Sequence, residues 1–136
     1  MVRISKSSEY ALVAVQHLSV NGGTVSVRDL SERYQLPAGL LAKVLQRLSA
    51  AGIVESIQGA RGGYALRVSP DELSFLQLCE AVDGPYRFAT CETHGQCEHE
   101  ESCTVSGPVH EMGERITELL AQTRVGRLFE PRETPR

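Results

Sequence analysis

Residues 26–68 read SVRDLSERYQLPAGLLAKVLQRLSAAGIVESIQGARGGYALRV, and this stretch determines the fold class. Ser26 and Asp29 have the spacing of a helix N-terminal capping box, which predicts a short helix ending near Tyr34. Pro37 suits the first turn of a further helix. The apolar residues of that helix form one stripe at helical spacing: Leu41, Val44, Leu45 and Leu48.

The spacing of apolar residues changes after this helix, and two short strands are predicted at residues 53–57 and 64–68. Between them lies the glycine-rich turn Gln58–Gly63, with Arg61 near its tip. Before the quoted stretch, residues 8–20 carry helical periodicity. Three helices followed by a hairpin are typical of a winged helix-turn-helix, which binds DNA.

The rest of the chain is predicted to be helical around a segment without periodicity. Ser74 and Gln77 form a second predicted capping box, which begins a helix to about Val82. Residues 84–107 have little apolar periodicity, and a long helix should start at Pro108. The predicted fold class is therefore mainly α with a small β-hairpin wing, followed by a long C-terminal helix.

Charge divides the chain of 136 residues into two unlike halves. Residues 1–68 carry eight Lys and Arg against four Asp and Glu, whereas residues 69–136 carry six against thirteen. A basic first half is typical of a protein that binds a polyanion at one end, although ordinary variation explains the charge alone equally well.

The sequence lacks the features of membrane-spanning proteins, secreted proteins and enzymes. No apolar run approaches the roughly 20 residues that a membrane span needs. The start MVRISKSSEY lacks the apolar stretch of a secretory signal, so we expect a cytoplasmic protein with reduced cysteines and no membrane partner. No motif pairs a nucleophile with a base, and we do not expect an enzyme.

The predicted recognition helix has a face opposite its apolar stripe that suits contact with DNA. Its residues are Gly39, Ala42, Lys43, Gln46 and Arg47. In winged-helix geometry, Lys43 and Arg47 can contact phosphates or guanine, and Gln46 can contact an adenine edge. Arg61 on the wing can reach a minor groove or the phosphate backbone. A merely solvated helix face is the alternative interpretation.

Three cysteines, Cys91, Cys97 and Cys103, are spaced C-x5-C-x5-C in the segment without periodicity. Structural zinc sites usually pair cysteines two to four residues apart, so this spacing argues against such a site. Three thiolates on a loop can hold an iron–sulfur cluster, while reduced surface cysteines or a redox pair remain the alternative. Cys79 lies in an apolar helical run, where we expect a small core residue.

Short segments spread over the chain to about Leu128 form a recognisable pattern with these cysteines. They are Arg3–Lys6 with Tyr10-Ala11, Leu30–Arg33, Leu45–Leu48, Gly52–Val54, Arg61–Tyr64 and Ala81–Asp83. The pattern resembles the winged-helix transcriptional regulators of the IscR/NsrR-type iron–sulfur regulator family. The resemblance implies a homodimer, paired through its long C-terminal helices, that binds near-palindromic operators in double-stranded DNA.

The resemblance also implies that Cys91, Cys97 and Cys103 hold the cluster, but it leaves the fourth ligand open. IscR-like members place a histidine three residues after the third cysteine, where this chain has Ser106. In some NsrR-like members a carboxylate from the first helix of the other subunit is the fourth ligand. The matching residue here is Glu9. We expect Glu9 to be that ligand. The alternatives are His94, His99, His110 and Ser106.

A weak oxygen ligand suits a sensor, because an exchangeable position at one iron admits nitric oxide or oxygen. Three cysteines with one oxygen ligand fit a 4Fe–4S cluster that senses nitric oxide, and they also fit a 2Fe–2S cluster that reports redox state or iron–sulfur supply. The missing histidine leads us to favour the 4Fe–4S form slightly. IscR-like members also place a glutamate in the recognition helix where this chain has Ala42, so their operator sequence does not transfer.

The pattern and the resemblance together divide the chain into three regions. Residues 1–69 form a winged helix-turn-helix, residues 70–129 hold a helix, the cluster loop and the dimerisation helix, and residues 130–136 form a polar tail. We expect a repressor whose operator binding is controlled by a cluster sensing nitric oxide, redox state or iron–sulfur supply. The alternative is a cluster-free regulator of the same fold, controlled by thiol oxidation or a protein partner.

Overall fold

Helices and a small antiparallel sheet alternate along residues 3–89, 97–99 and 101–130, which are the residues that the computed structural model describes. Their order is α1 (Lys6–Asn21), β1 (Thr24–Val25), α2 (Val27–Tyr34), α3 (Ala38–Ala50), β2 (Val54–Ile57), β3 (Gly63–Leu66), α4 (Phe75–Asp83), α5 (Ser106–Gln122) and α6 (Val125–Leu128). This order confirms the predicted winged helix-turn-helix with a long C-terminal helix.

Serine hydroxyls begin three of the helices, as N-terminal caps do when they satisfy free backbone N–H groups. The Ser5 hydroxyl accepts from the Ser8 amide, so α1 starts two residues before the predicted residue 8. Ser26 caps α2 by accepting from the Asp29 amide. At α4 the predicted capping box is complete, because the Ser74 amide also donates to the side chain of Gln77.

The wing is a three-stranded antiparallel sheet of order β1-β3-β2, one strand more than the predicted hairpin. β3 pairs with β2 from Leu66 opposite Val54 to Gly63 opposite Ile57. Its other edge pairs with β1, where Val25 faces Tyr64. Because β1 directly precedes the capping residue of α2, this pairing attaches the wing to the helix-turn-helix.

Two adjacent glycines make the close approach of the wing strands possible. Gly63 has a φ of +153°, and a Cβ there would overlap the backbone of Val25 on β1. A Cβ on Gly62 would overlap the carbonyl oxygen of Ile57. Both positions therefore require glycine for steric reasons.

One hydrophobic core joins the first three helices to the C-terminal half. Its fully buried residues include Val15 and Leu18 of α1, Leu30 of α2, the stripe Leu41, Val44, Leu45 and Leu48 of α3, Leu78 and Val82 of α4, and Val125 of α6. The core thus contains residues from both sides of the predicted boundary at residue 69. Backbone hydrogen bonds of 2.8 Å, from Val125 N to Leu73 O and from Phe75 N to Thr123 O, bring the chain after α5 back to the start of α4.

The long helix α5 begins at Ser106, two residues before the predicted Pro108, and much of its apolar surface faces outward. Met112 and Leu119 are 55% and 64% exposed, and Val105 just before the helix is 58% exposed. Gly113 is the buried residue of this helix. Among the helices of the described residues, none combines the length and the apolar character that a membrane crossing requires.

Substituting Gly63 tests the steric requirement of the wing. Gly63→Ala should destabilise the fold by about 2 kcal/mol or more, because the Cβ collides with β1 in a left-handed backbone region. Urea unfolding measures the loss. The matched control is Gly107→Ala in α5, where a Cβ meets open space and stability should be unchanged or slightly higher. Equal stability of the two variants would contradict the steric account.

Candidate DNA-binding and cysteine sites

The recognition helix α3 begins at a tightly held turn. Gln35 adopts the left-handed conformation with a φ of 55°, and its amide donates to Ser31 O. The Ser31 hydroxyl in turn donates to Leu36 O at 2.6 Å, and the Leu36 amide donates back to Ser31 O at 3.1 Å. These three hydrogen bonds all lie in the turn, and together they fix the angle between α2 and α3.

The predicted DNA-facing residues lie on the outward face of α3 and differ in their exposure to solvent. Gly39, Lys43, Gln46 and Arg47 are exposed, whereas Ala42 is half-buried. The predicted stripe of Leu41, Val44, Leu45 and Leu48 is fully buried on the opposite side. The burial pattern thus leaves one polar, cationic face available for a ligand.

Arg47 behaves differently from its neighbours on this face. Its Nη1 donates to the carbonyl oxygen of Val82, in the last turn of α4, at 2.5 Å. The guanidinium therefore joins α3 to α4, a contact between residues 35 positions apart. We expected Arg47 to contact phosphate or guanine together with Lys43; the structure gives one nitrogen of its guanidinium a protein partner, while the residue as a whole is exposed.

The wing presents its cation as the sequence predicts. Arg61 is exposed in the turn between β2 and β3. That turn is closed by a hydrogen bond of 3.0 Å from Gly62 N to Gly59 O, and Gly59 has a φ of +114°. Arg61 therefore lies at the end of a defined hairpin.

A polar cluster holds the end of α4 against the start of α1. Asp83 Oδ2 accepts from the Ser5 hydroxyl at 2.5 Å and from the Ser8 hydroxyl at 2.8 Å. Ser8 is buried, with 1% of its surface exposed, so its hydroxyl depends on this partner. Together with the bond from Arg47, these contacts attach the carboxyl end of α4 to both α1 and α3.

The thiol of Cys79, one turn earlier on α4, is half-buried beside this cluster. Burial raises the pKa of Cys79; a hydrogen bond with Ser8 opposes the rise, and the carboxylates of Asp83 and Glu80 add to it. A raised pKa reduces the thiolate fraction and therefore the reactivity. Cys79 thus lies at the edge of the core, where we expected a small core residue, and its raised pKa makes it less reactive than an ordinary exposed thiol.

The cysteine segment connects α4 to α5. Cys97 and Cys103 are half-buried free thiols, while His99 and His110 are exposed and Ser106 is the first residue of α5. The other two candidate ligands, Cys91 and His94, lie outside the described residues. Within residues 3–89, 97–99 and 101–130, no group of three or more His, Cys, Asp and Glu side chains is arranged to hold a metal ion.

Glu9 lies in the first turn of α1, near the surface. Its carboxylate Oε2 accepts from Lys6 Nζ at 3.2 Å, and its side chain is 43% exposed. Exposed ion pairs of this kind contribute about 0–1 kcal/mol. The carboxylate is therefore accessible to a stronger partner approaching from outside the subunit.

A second polar contact, which sequence reasoning missed, joins α1 to α2. His17 Nδ1 lies 2.8 Å from the Tyr34 hydroxyl and 3.3 Å from Asn21 Nδ2. The side-chain nitrogen of Asn21 also donates to His17 O at 2.9 Å, which holds Asn21 beside the ring. Burial, and then the nearby Arg33 guanidinium, lower the pKa of His17 below the ordinary value of 6.5.

The lowered pKa of His17 predicts acid sensitivity. The unfolded chain binds this proton more readily than the native chain, so stability is fully present above about pH 6.5 and is lost as the pH falls below it. Urea unfolding at several pH values should show this loss in the wild type and a weaker loss in His17→Gln. The control His110→Gln, on the exposed surface of α5, should keep the full pH dependence. A His17→Gln variant with wild-type pH dependence would contradict the assignment.

Comparison with known proteins identifies relatives along nearly the whole chain. A model of the family Rrf2, described as iron-dependent transcriptional regulators, matches residues 4–131. The HTH-type transcriptional regulator IscR of Klebsiella pneumoniae (strain 342) is 27% identical over 134 residues, covering 97% of this chain and 82% of the relative.

Solved structures show the same fold. The oxidized form of CymR from Staphylococcus aureus matches with a TM-score of 0.74 at 24% identity, covering 98% of this chain and 100% of that chain. IscR of T. potens matches with a TM-score of 0.72 at 21% identity, covering 99% and 93%. The family match over most of the length, together with the winged-helix fold, shows that the chain belongs to the Rrf2 family of transcriptional regulators.

Proposed function

We propose that the protein is a cytoplasmic, DNA-binding repressor whose operator affinity is controlled by an iron–sulfur cluster bound through Cys91, Cys97 and Cys103. The observation that carries the proposal is the place of the cysteine segment in the chain. It leaves α4 directly after Asp83, which is hydrogen-bonded to α1, and it enters α5 at Ser106. A group bound there would therefore act on the part of the structure that touches the recognition helix.

The exposed cations of the recognition helix and the wing support DNA as the ligand of the winged helix-turn-helix. Lys43 and Arg61 are exposed on α3 and on the hairpin, and Gln46 lies beside Lys43. Cations position a protein on phosphates, while an amide can distinguish a base edge. We propose a double-stranded, near-palindromic operator, in which each subunit places α3 in a major groove.

The exposed apolar face of α5 supports the inference that the protein forms a dimer. Exposed Val105, Met112 and Leu119 lie along or beside this helix, and an apolar face of this kind usually marks an interface. A homodimer with paired α5 helices would cover that face. It would also match the two-fold symmetry of the proposed operator.

Charge substitutions on α5 test the dimer. Leu119→Asp should shift the protein from dimer to monomer in analytical ultracentrifugation, because it places a charge in an apolar interface. The control is Glu55→Asp on the exposed strand β2, which should leave the assembly unchanged. A dimeric Leu119→Asp protein would place the interface elsewhere.

The donor chemistry of the cysteine segment fits an iron–sulfur cluster. Cys97 and Cys103 are free thiols, which is the form that binds iron as thiolate. The family description as iron-dependent supports iron as the metal. When bound, the cluster would supply a redox-active centre able to react with nitric oxide or oxygen, and we favour the 4Fe–4S form.

Glu9 is the proposed fourth ligand, provided by the partner subunit. Within the described residues its carboxylate is paired with the surface lysine Lys6, so little free energy opposes its transfer to iron. His94, His99, His110 and Ser106 remain the competing ligands. His99 and His110 are exposed and Ser106 begins α5, which leaves each of these three accessible.

Spectroscopy of anaerobically purified protein tests the cluster. The expected result is a broad absorption band near ~400 nm with roughly four irons and four sulfides per subunit. Longer-wavelength bands with about two irons would indicate a 2Fe–2S cluster instead. Protein that stays colourless after reconstitution with iron and sulfide would overturn the cluster proposal.

Glu9→Ala tests the fourth ligand separately. This variant should lose iron to a chelator roughly tenfold faster than the wild type, since removal of a group that supports the metal weakens the site. The matched control is Glu32→Ala, which removes a similarly exposed carboxylate paired with Arg28 on α2. Equal iron loss from both variants would exclude Glu9 and point to the histidines or Ser106.

A cluster-free regulator of the same fold is the second candidate function. The related CymR of Staphylococcus aureus has been crystallised in an oxidized form, which supports control by oxidation as a possibility within the fold. The reactive thiols would then be among Cys91, Cys97 and Cys103, because burial raises the pKa of Cys79 and so lowers its reactivity. A colourless protein whose operator affinity changes with peroxide would favour this candidate.

A further inference from the structure

The contact of Arg47 with Val82 raises a question about the role of this arginine. Arg47 lies on α3 one turn after Lys43, where a direct DNA contact is the expected role. Its Nη1 nevertheless donates to Val82 O at 2.5 Å, in a contact that is partly buried. The last carbonyls of a helix lack intrahelical donors and carry partial negative charge, so a cation satisfies them well.

We propose that Arg47 is a positioning residue that fixes the recognition helix against the carboxyl end of α4 and does not itself contact DNA. This inference rests on the proposed DNA binding by α3. Through its bond to Val82, Arg47 sets the angle at which Lys43 and Gln46 meet the major groove. A small rotation of α3 would displace both side chains, because they extend from the face opposite the core.

The turn of α4 that contains Val82, the hydrogen-bond partner of Arg47, is also bonded to α1. Asp83, the residue after Val82, accepts from the hydroxyls of Ser5 and Ser8 at the start of α1. The core packs the stripe of α3 between α1 and α4. Arg47 and Asp83 therefore join the last turn of α4 to α3 and to the start of α1, and loosening either contact should free α3 to rotate.

Direct contact and positioning have different signatures in DNA binding. A phosphate contact contributes to counterion release, so its loss lowers the salt dependence of binding by about one unit of slope. A base contact affects one position of the operator. A positioning residue lowers affinity for the specific operator over all its positions, with no change in slope and no change in non-specific affinity.

The experiment uses the full-length wild-type protein to select its tightest duplex from a randomised library. Binding of that duplex, and of poly(dI-dC) as non-specific DNA, is then measured over a series of salt concentrations. Arg47→Met keeps most of the side-chain length but removes the donor and the charge. Lys43→Met is the matched control on the same helix.

Arg47→Met should weaken specific binding roughly tenfold, with an unchanged salt slope and unchanged poly(dI-dC) affinity. Lys43→Met should weaken binding of both duplexes and lower the slope by about one. A lowered slope for Arg47→Met would make it a phosphate contact, and a loss confined to one base pair would make it a base contact. Unchanged specific affinity would show that its bond to Val82 is dispensable. Each of these results overturns the proposal.

Asp83→Ala keeps the test valid if Arg47→Met fails to fold, which circular dichroism would reveal. Asp83 lies on α4 and accepts from Ser5 and Ser8 at the start of α1, so a direct-contact role for Arg47 predicts no effect of this variant on binding. Positioning predicts weaker specific binding with the same salt slope. Wild-type affinity of a folded Asp83→Ala variant would count against the proposal. Failure of the wild type to select any duplex would instead overturn the proposed DNA binding.

Discussion

The orientation of α3 is set by the burial of one of its faces. Leu41, Val44, Leu45 and Leu48 are fully buried between α1 and α4. Burial of such a side chain contributes about 1.5–3 kcal/mol, so this stripe strongly disfavours any other rotation of the helix. The opposite face is thereby turned to solvent, and the polar residues on it become available for DNA.

Helical periodicity and capping made much of the fold predictable. The stripe of α3, the start of α2 after Ser26 and the capping box at Ser74 are local patterns, and local patterns can be recognised within a few residues. β1 could not be predicted, because its two residues are too short to show a period and exist as a strand only by pairing with β3.

The polar contacts around the candidate site were not predictable for a different reason. Asp83 and Ser8 are 75 residues apart, and no spacing rule connects them. The same holds for Arg47 and Val82, where the sequence placed the arginine correctly on α3 but could not reveal its partner. The cysteine spacing and the position of Glu9 were recognisable, whereas the proposed fourth ligand would come from a second subunit that sequence alone cannot place.

The pairing of β1 with β3 has an evolutionary consequence. Gly62 and Gly63 must stay glycine for the strands to approach, and β1 leads directly into the capping residue of α2. Insertions in the wing are therefore tolerable only in its tip, between Gln58 and Arg61. New operator preferences should arise in relatives by exchange of single side chains on α3 and at the tip, with the lengths of the surrounding segments conserved.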